Sequence, residues 1–207
     1  MLLSELLDFP KDLRVVVFDF DGTLVKLHVD WDALRKLLSD KYMDDFGEDQ
    51  AFNRITLGLQ KVVARGDPDL IESYIRTIEK FERENIKEYS FFEEIVFFIE
   101  NLEELGLNSD IKFAIFSLNF RSTIFSILTK QNLLGKFQYI VGREDVVEWK
   151  PNPEGLYKIL KHFNISSKQA IYVGDSEFDM EAGKNAKIKT YLIDKFIANI
   201  RKARSKK

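Results

Sequence analysis

Two pairs of acids carry the chemistry that can be read first. Asp19 and Asp21 stand at i and i+2 where the hydrophobic run 15–18 ends, in the segment Asp19-Phe20-Asp21-Gly22-Thr23-Leu24. Residues two apart on an extended chain point to the same side, so both carboxylates leave the carboxyl end of one strand together. Gly22 then permits a sharp turn out of the sheet. Burying two like charges side by side is costly unless a cation or a shared proton offsets the repulsion, and a metal site is the natural resolution. A calcium loop is a rival, because Asp-x-Asp-Gly occurs there, but the flank here is a buried strand and the later ligands of that loop are missing. A purely structural pair at a strand end is a third reading.

The second pair is Asp175 and Asp179, in Gly174-Asp175-Ser176-Glu177-Phe178-Asp179 after the apolar run 170–173. Four residues apart at the start of a helix, the two acids share a face. Taken singly, Ser176 or Asp175 could be an N-cap and Asp179 could favour the helix dipole. Taken with the first pair, three or four carboxylates converging on one sheet edge match the all-oxygen preference of Mg²⁺, with Mn²⁺ as the alternative. Two smaller signals join them. Ser117 and Asn119 follow the run 111–116, and Lys150 precedes Pro151 and the helix start at Pro153. Ser117 and Asn119 could simply cap the helix near Arg121, and most lysines are exposed. As a set, hydroxyl, amide and ammonium would supply donors to the oxygens of a phosphoryl group.

These residues need a scaffold that brings strand ends together. Five short runs rich in β-branched and aromatic residues read as buried strands at 15–18, 111–116, 137–141, 170–173 and 189–193. Helical patterns at 123–132, 153–163 and 177–186 separate the later ones. Near-continuously apolar strands alternating with helices imply an α/β fold: a doubly wound, mostly parallel five-stranded sheet covered on both faces. The first gap, from Asp19 to Ile111, far exceeds a crossover. It shows no convincing strand and four helical patterns, at 31–46, 51–65, 68–85 and 91–105, with Asp67 and Pro68 as a clear start. The expected organisation is an α/β core of residues 1–27 and 89–207 with a helical cap subdomain at 28–88. An insertion there would lie over the carboxyl ends of the strands as a lid.

Composition narrows the classes. The 207 residues carry 31 Lys+Arg against 34 Asp+Glu, a net charge of −3, which offers no basic groove for nucleic acid. The basic tail Arg201–Lys207 reads as a solvated, frayed terminus. With no cysteine there is no thiolate site or cysteine nucleophile, and two histidines, His28 and His162, are too few for a three-histidine zinc site. The first ten residues lack a basic leader and no run approaches a membrane span, so a cytoplasmic protein without membrane or nucleic-acid partners is expected. Oligomeric state is not legible. The 18 phenylalanines are most simply packing.

At this point the sequence resembles the haloacid dehalogenase-like superfamily of hydrolases. Asp19 to Leu24, Ser117 with Asn119, Lys150-Pro151 and Gly174 to Asp179 resemble its four ordered motifs, and the insertion resembles its helical cap. The nearest subgroup is phosphoglycolate phosphatase-like and β-phosphoglucomutase-like members. The resemblance implies Asp19 as nucleophile and Asp21 as general acid and then base. It implies Mg²⁺ held by Asp19, the main-chain carbonyl of Asp21 and Asp175, with Asp179 as a further ligand or an anchor through water. Ser117, Asn119 and Lys150 would position the transferring group. Because dehalogenation requires no proton on the departing halide, Asp21 favours phosphate chemistry. The expected function is a Mg²⁺-dependent phosphatase acting on a small phosphorylated metabolite. A phosphomutase of the same fold comes second, and a catalytically silent phosphate- or partner-binding module third. Lys26, His28, Arg54 and Arg65 could reach a substrate carboxylate or hydroxyl, although ordinary solvated helix faces explain most of them and His28 reads equally as a hinge residue with a satisfied hydrogen bond.

Overall fold

The computed structural model describes residues 2–49 and 52–205. Two compact units divide the chain, Met1–Leu27 with Ser90–Lys207, and His28–Tyr89.

The first unit is built on a five-stranded parallel sheet in the order β5-β4-β1-β6-β7. Its strands are β1 (Val15–Phe18), β4 (Lys112–Phe116), β5 (Phe137–Val141), β6 (Ala170–Gly174) and β7 (Lys189–Leu192). Every residue of β1 and β6 is buried, as expected of central strands covered on both faces. Phe18 lies level with Ile115 of β4 and with Val173 of β6, so the chain leaves all three strands at one edge. Helices α6 (Arg121–Lys130), α7 (Glu154–Phe163), α8 (Glu177–Asn185) and α9 (Ile193–Arg204) alternate with the later strands, while α1 (Leu3–Leu6) and α5 (Glu93–Glu100) precede β1 and β4. An aromatic cluster of Phe18, Phe98, Phe113 and Phe196 ties the sheet to α5 and α9; the Phe98 and Phe196 rings meet edge to face at 5.1 Å.

The second unit contains α2 (Trp31–Phe46), α3 (Ile55–Val63) and α4 (Pro68–Asn85). Asp30 caps α2 by accepting the Ala33 N–H, and Asp67 caps α4 by accepting those of Asp69 and Leu70. Phe52 stacks on Tyr74 at 6.0 Å within this unit. The helix expected from residue 51 begins at Ile55 instead; Ala51 itself lies outside the described residues.

Two expectations are corrected. The long gap does contain strands: β2 (Val25–His28) and β3 (Glu88–Phe91) pair with one another in a two-stranded sheet. Each is only four residues long with polar residues interleaved, too short for periodicity to register. The basic tail does not fray at Arg201 either. The α9 helix runs to Arg204, with Arg201 donating to Glu94 at 2.7 Å and the Arg204 guanidinium 4.0 Å from the Phe97 ring centroid. Partners on another helix hold it, and Lys206 and Lys207 lie outside the described residues.

Candidate active site

The β1 strand delivers Asp19 to the carboxyl edge of the sheet. Its backbone N–H donates to the Val173 carbonyl on β6, which extends the ladder one residue and fixes where the side chain emerges. Gly22 follows at φ 79, a conformation that suits glycine, and its N–H donates to the Val25 carbonyl at 2.7 Å to close the turn. A side chain at Gly22 would collide with the Asp175 carboxylate, so the turn can approach that acid only as glycine. Gly174 plays the same part for Asp179.

Asp19, Asp175 and Asp179 offer carboxylate oxygens that all lie within 4.8 Å of one another. Lys150 joins them: its Nζ donates to Asp19 Oδ1 and to Asp179 Oδ1, each at 2.7 Å, with the ammonium almost wholly buried. One cation faces three acids. Burial pushes the Asp19 carboxyl up to about 7, with Asp179 and Asp175 adding to the rise and Lys150 opposing it. Asp175 is raised to about 6, by burial first and Asp179 next. Burial alone would lower Lys150, but Asp179 and Asp19 outweigh it and hold the ammonium above its ordinary range.

Asp179 differs from its neighbours. Its Oδ1 accepts from Lys150 and, at 2.5 Å, from the Tyr172 hydroxyl, while Oδ2 accepts from the Ser176 N–H and hydroxyl at 3.1 and 2.5 Å. Four donors fill a carboxylate's acceptor capacity. They also hold Asp179 low against the opposing effect of burial, with Lys150 the largest of the lowering influences.

The other expected residues have pairings of their own. Asp21 is part-buried in the turn, with Oδ1 accepting the Leu27 N–H at 2.9 Å. Ser117 and Asn119 sit at the end of β4, the strand beside β1; the Ser117 hydroxyl donates to Asn119 Oδ1 and accepts the Asn119 N–H, both at 3.2 Å. Arg65, one of the candidate substrate contacts, bonds Tyr42 and Glu48 within its own unit and lies 4.7 Å from the Phe46 ring centroid. Tyr172 was not singled out from the sequence. A lone tyrosine inside an otherwise aliphatic buried strand was the available signal, since a buried phenol seeks a partner.

The donor set fits a hard divalent cation. Three carboxylates and one ammonium leave two negative charges when all are ionised, and all-oxygen ligation suits Mg²⁺. Among the described residues, no helix is long and apolar enough to cross a membrane.

Comparison with known proteins agrees with this architecture. The sequence pattern of the family described as haloacid dehalogenase-like hydrolase matches residues 16–193. Phosphoglycolate phosphatase of Aquifex aeolicus is 32% identical over 183 residues, spanning 87% of this chain and 84% of the relative. Pyrophosphatase PpaX of Halalkalibacterium halodurans is 29% identical over 184 residues, spanning 88% and 84%. A haloacid dehalogenase-like hydrolase structure from Bacteroides fragilis superposes with a TM-score of 0.64 at 21% identity, covering 86% of each chain, which bears on the fold alone. The chain belongs to the haloacid dehalogenase-like hydrolase family.

Proposed function

We propose that the protein is a Mg²⁺-dependent phosphatase that hydrolyses a small phosphorylated metabolite through a phospho-aspartate on Asp19. The observation that carries this reading is the placement of Asp19: buried at a strand end, one oxygen bonded to Lys150, and two further acids within 4.8 Å. The names of the related phosphoglycolate phosphatase and pyrophosphatase support phosphate as the group acted upon.

Asp19, Asp175 and the main-chain carbonyl of Asp21 would hold the ion. Asp179, with its acceptors filled by Lys150, Tyr172 and Ser176, would act as an anchor. When bound, Mg²⁺ neutralises charge between a carboxylate nucleophile and an anionic phosphate. The chain's own residues carry the remaining steps. Lys150 fixes Asp19 Oδ1, so Oδ2 is the oxygen presented to phosphorus. Attack forms the Oδ2–P bond and breaks the bond from phosphorus to the leaving oxygen, which takes a proton from Asp21. Asp21, now ionised, removes a proton from water; the water oxygen bonds phosphorus, the acyl phosphate breaks, and Asp19 and inorganic phosphate are released. Two displacements thus replace one, and a single acid serves both because the first reverses its proton state. Ser117, Asn119 and Lys150 would orient the transferring group, and residues 28–88 would act as a cap that selects the substrate.

Incubation with p-nitrophenyl phosphate and Mg²⁺, with and without chelator, tests the reading. Phosphate release that stops on chelation is expected, and no release with any of a panel of phosphorylated metabolites would overturn it.

A further inference from the structure

We propose that Tyr172 and Phe116 are positioning residues that clamp the Lys150 ammonium, an inference that rests on the reading of Lys150 as part of the phosphatase site. Tyr172 lies mid-strand in β6 with no exposure, and its hydroxyl donates to Asp179 Oδ1 at 2.5 Å. A phenol has one proton to give, so the 3.4 Å contact with the Phe116 carbonyl is secondary to that short bond. The oxygen it holds is the same one that accepts from Lys150.

The rings act on the lysine directly. Its Nζ lies over the Phe116 ring at 4.7 Å from the centroid and over the Tyr172 ring at 5.4 Å, both inside the range of a cation–π contact. The two rings are 6.3 Å apart and tilted by 34°. Phe116 is wholly buried and pressed against Gly155 of α7, where a side chain would run into the ring. The ring therefore has a fixed backing.

A lysine has a flexible four-carbon stem and three rotatable donors. Two of those donors go to Asp19 and Asp179. The rings restrict the motion that remains, and the phenol keeps Asp179 from rotating away from the ammonium. The third donor is thereby held in a constant position for a phosphoryl oxygen, without either aromatic residue touching substrate.

If Tyr172 were only core filling, removing its hydroxyl would alter stability and leave chemistry untouched. Tyr172→Phe keeps the ring and deletes the bond to Asp179; Phe116→Leu removes one ring. Two measurements separate the roles. In metal-free ¹⁵N-labelled protein, Lys150 should give a slowly exchanging ammonium resonance shifted upfield by the rings, assigned by its loss in Lys150→Met. That resonance should exchange faster in Tyr172→Phe and move downfield in Phe116→Leu. With p-nitrophenyl phosphate and Mg²⁺, kcat should fall about tenfold in each variant with KM little changed, the size of effect usual for residues that orient a site's primary groups. Wild-type kcat together with an unchanged ammonium resonance in Tyr172→Phe would overturn the clamp, and that isosteric variant suffices if Phe116→Leu does not fold. Should Lys150→Met turn over at the wild-type rate, Lys150 has no part in the site and the clamp falls with it, whereas no phosphate release by the wild type would overturn the phosphatase reading itself; an inactive Lys150→Met beside fully active ring variants removes the clamp alone.

Discussion

Lys150 and Asp19 are 131 residues apart in the chain and 2.7 Å apart in space. The bond joins the loop before α7 to the end of β1, so the sheet and its crossover helices must be assembled before the site exists.

Replacing Lys150 by Met should cost both stability and turnover. It leaves Asp19 and Asp179 buried without their cation, a loss of about 3–5 kcal/mol for a broken buried pair. It also removes a donor to the transferring group, which should lower kcat by roughly 10²–10³. Denaturant unfolding and steady-state kinetics measure the two effects; a variant as stable and as active as wild type contradicts the assignment.

Mg²⁺ should stabilise the fold. An ion binding only the folded state at about a hundredfold its Kd contributes about 2.7 kcal/mol. A thermal melt with MgCl₂ should show a raised Tm that chelator reverses, and Asp175→Asn should lose most of the rise. An equal rise in that variant would place the ion elsewhere.

Asp21→Asn should fold and bind phosphate and metal yet turn over slowly, by about 10²–10⁴, the usual worth of a positioned general acid. Unchanged turnover would remove Asp21 from the proton transfers.

Much of this arrangement was legible in the sequence, and the exceptions have physical causes. The start of α4 could be read because Asp67 caps it locally and Pro68 opens it. Asp19, Asp175, Asp179 and Lys150 could be singled out because each follows an apolar run or precedes a proline-marked helix start, and the sheet brings all four together. The β2 and β3 strands escaped notice because each finds its partner only across the whole second unit. The helical tail was missed for a related reason: Arg201 is held by Glu94, 107 residues away. Tyr172 was overlooked because its ring reads as strand packing and its hydroxyl's partner lies on the next helix.

The loop that carries Lys150 should loosen in acid. Glu154 accepts the Val147 and Glu148 N–H groups at 2.9 and 3.0 Å and pairs with Lys158. Burial pushes its carboxyl up, but the Glu148 amide, Lys158 and the Val147 amide together hold it below the ordinary range. A lowered folded value means that its contribution to stability is present above the unfolded glutamate range and is lost as pH falls through the lowered value. The stability gap between wild type and Glu154→Gln should therefore shrink on acidification in denaturant titrations. A gap independent of pH would contradict the sign.

Phe98→Ala should cost about 3–5 kcal/mol, because it opens a cavity among Phe18, Phe113 and Phe196. Denaturant midpoints measure it, and a loss much below that range would mean the aromatic cluster collapses into the gap.

The most direct test asks whether Asp19 becomes phosphorylated. The enzyme is mixed with p-nitrophenyl phosphate and Mg²⁺, quenched within the first turnovers and reduced with borohydride, which converts an aspartyl phosphate to homoserine. Peptide mass spectrometry should find homoserine at position 19 only when substrate and Mg²⁺ were both present. An unreduced Asp19 in a turning-over sample, together with full activity in Asp19→Asn, would contradict the covalent route.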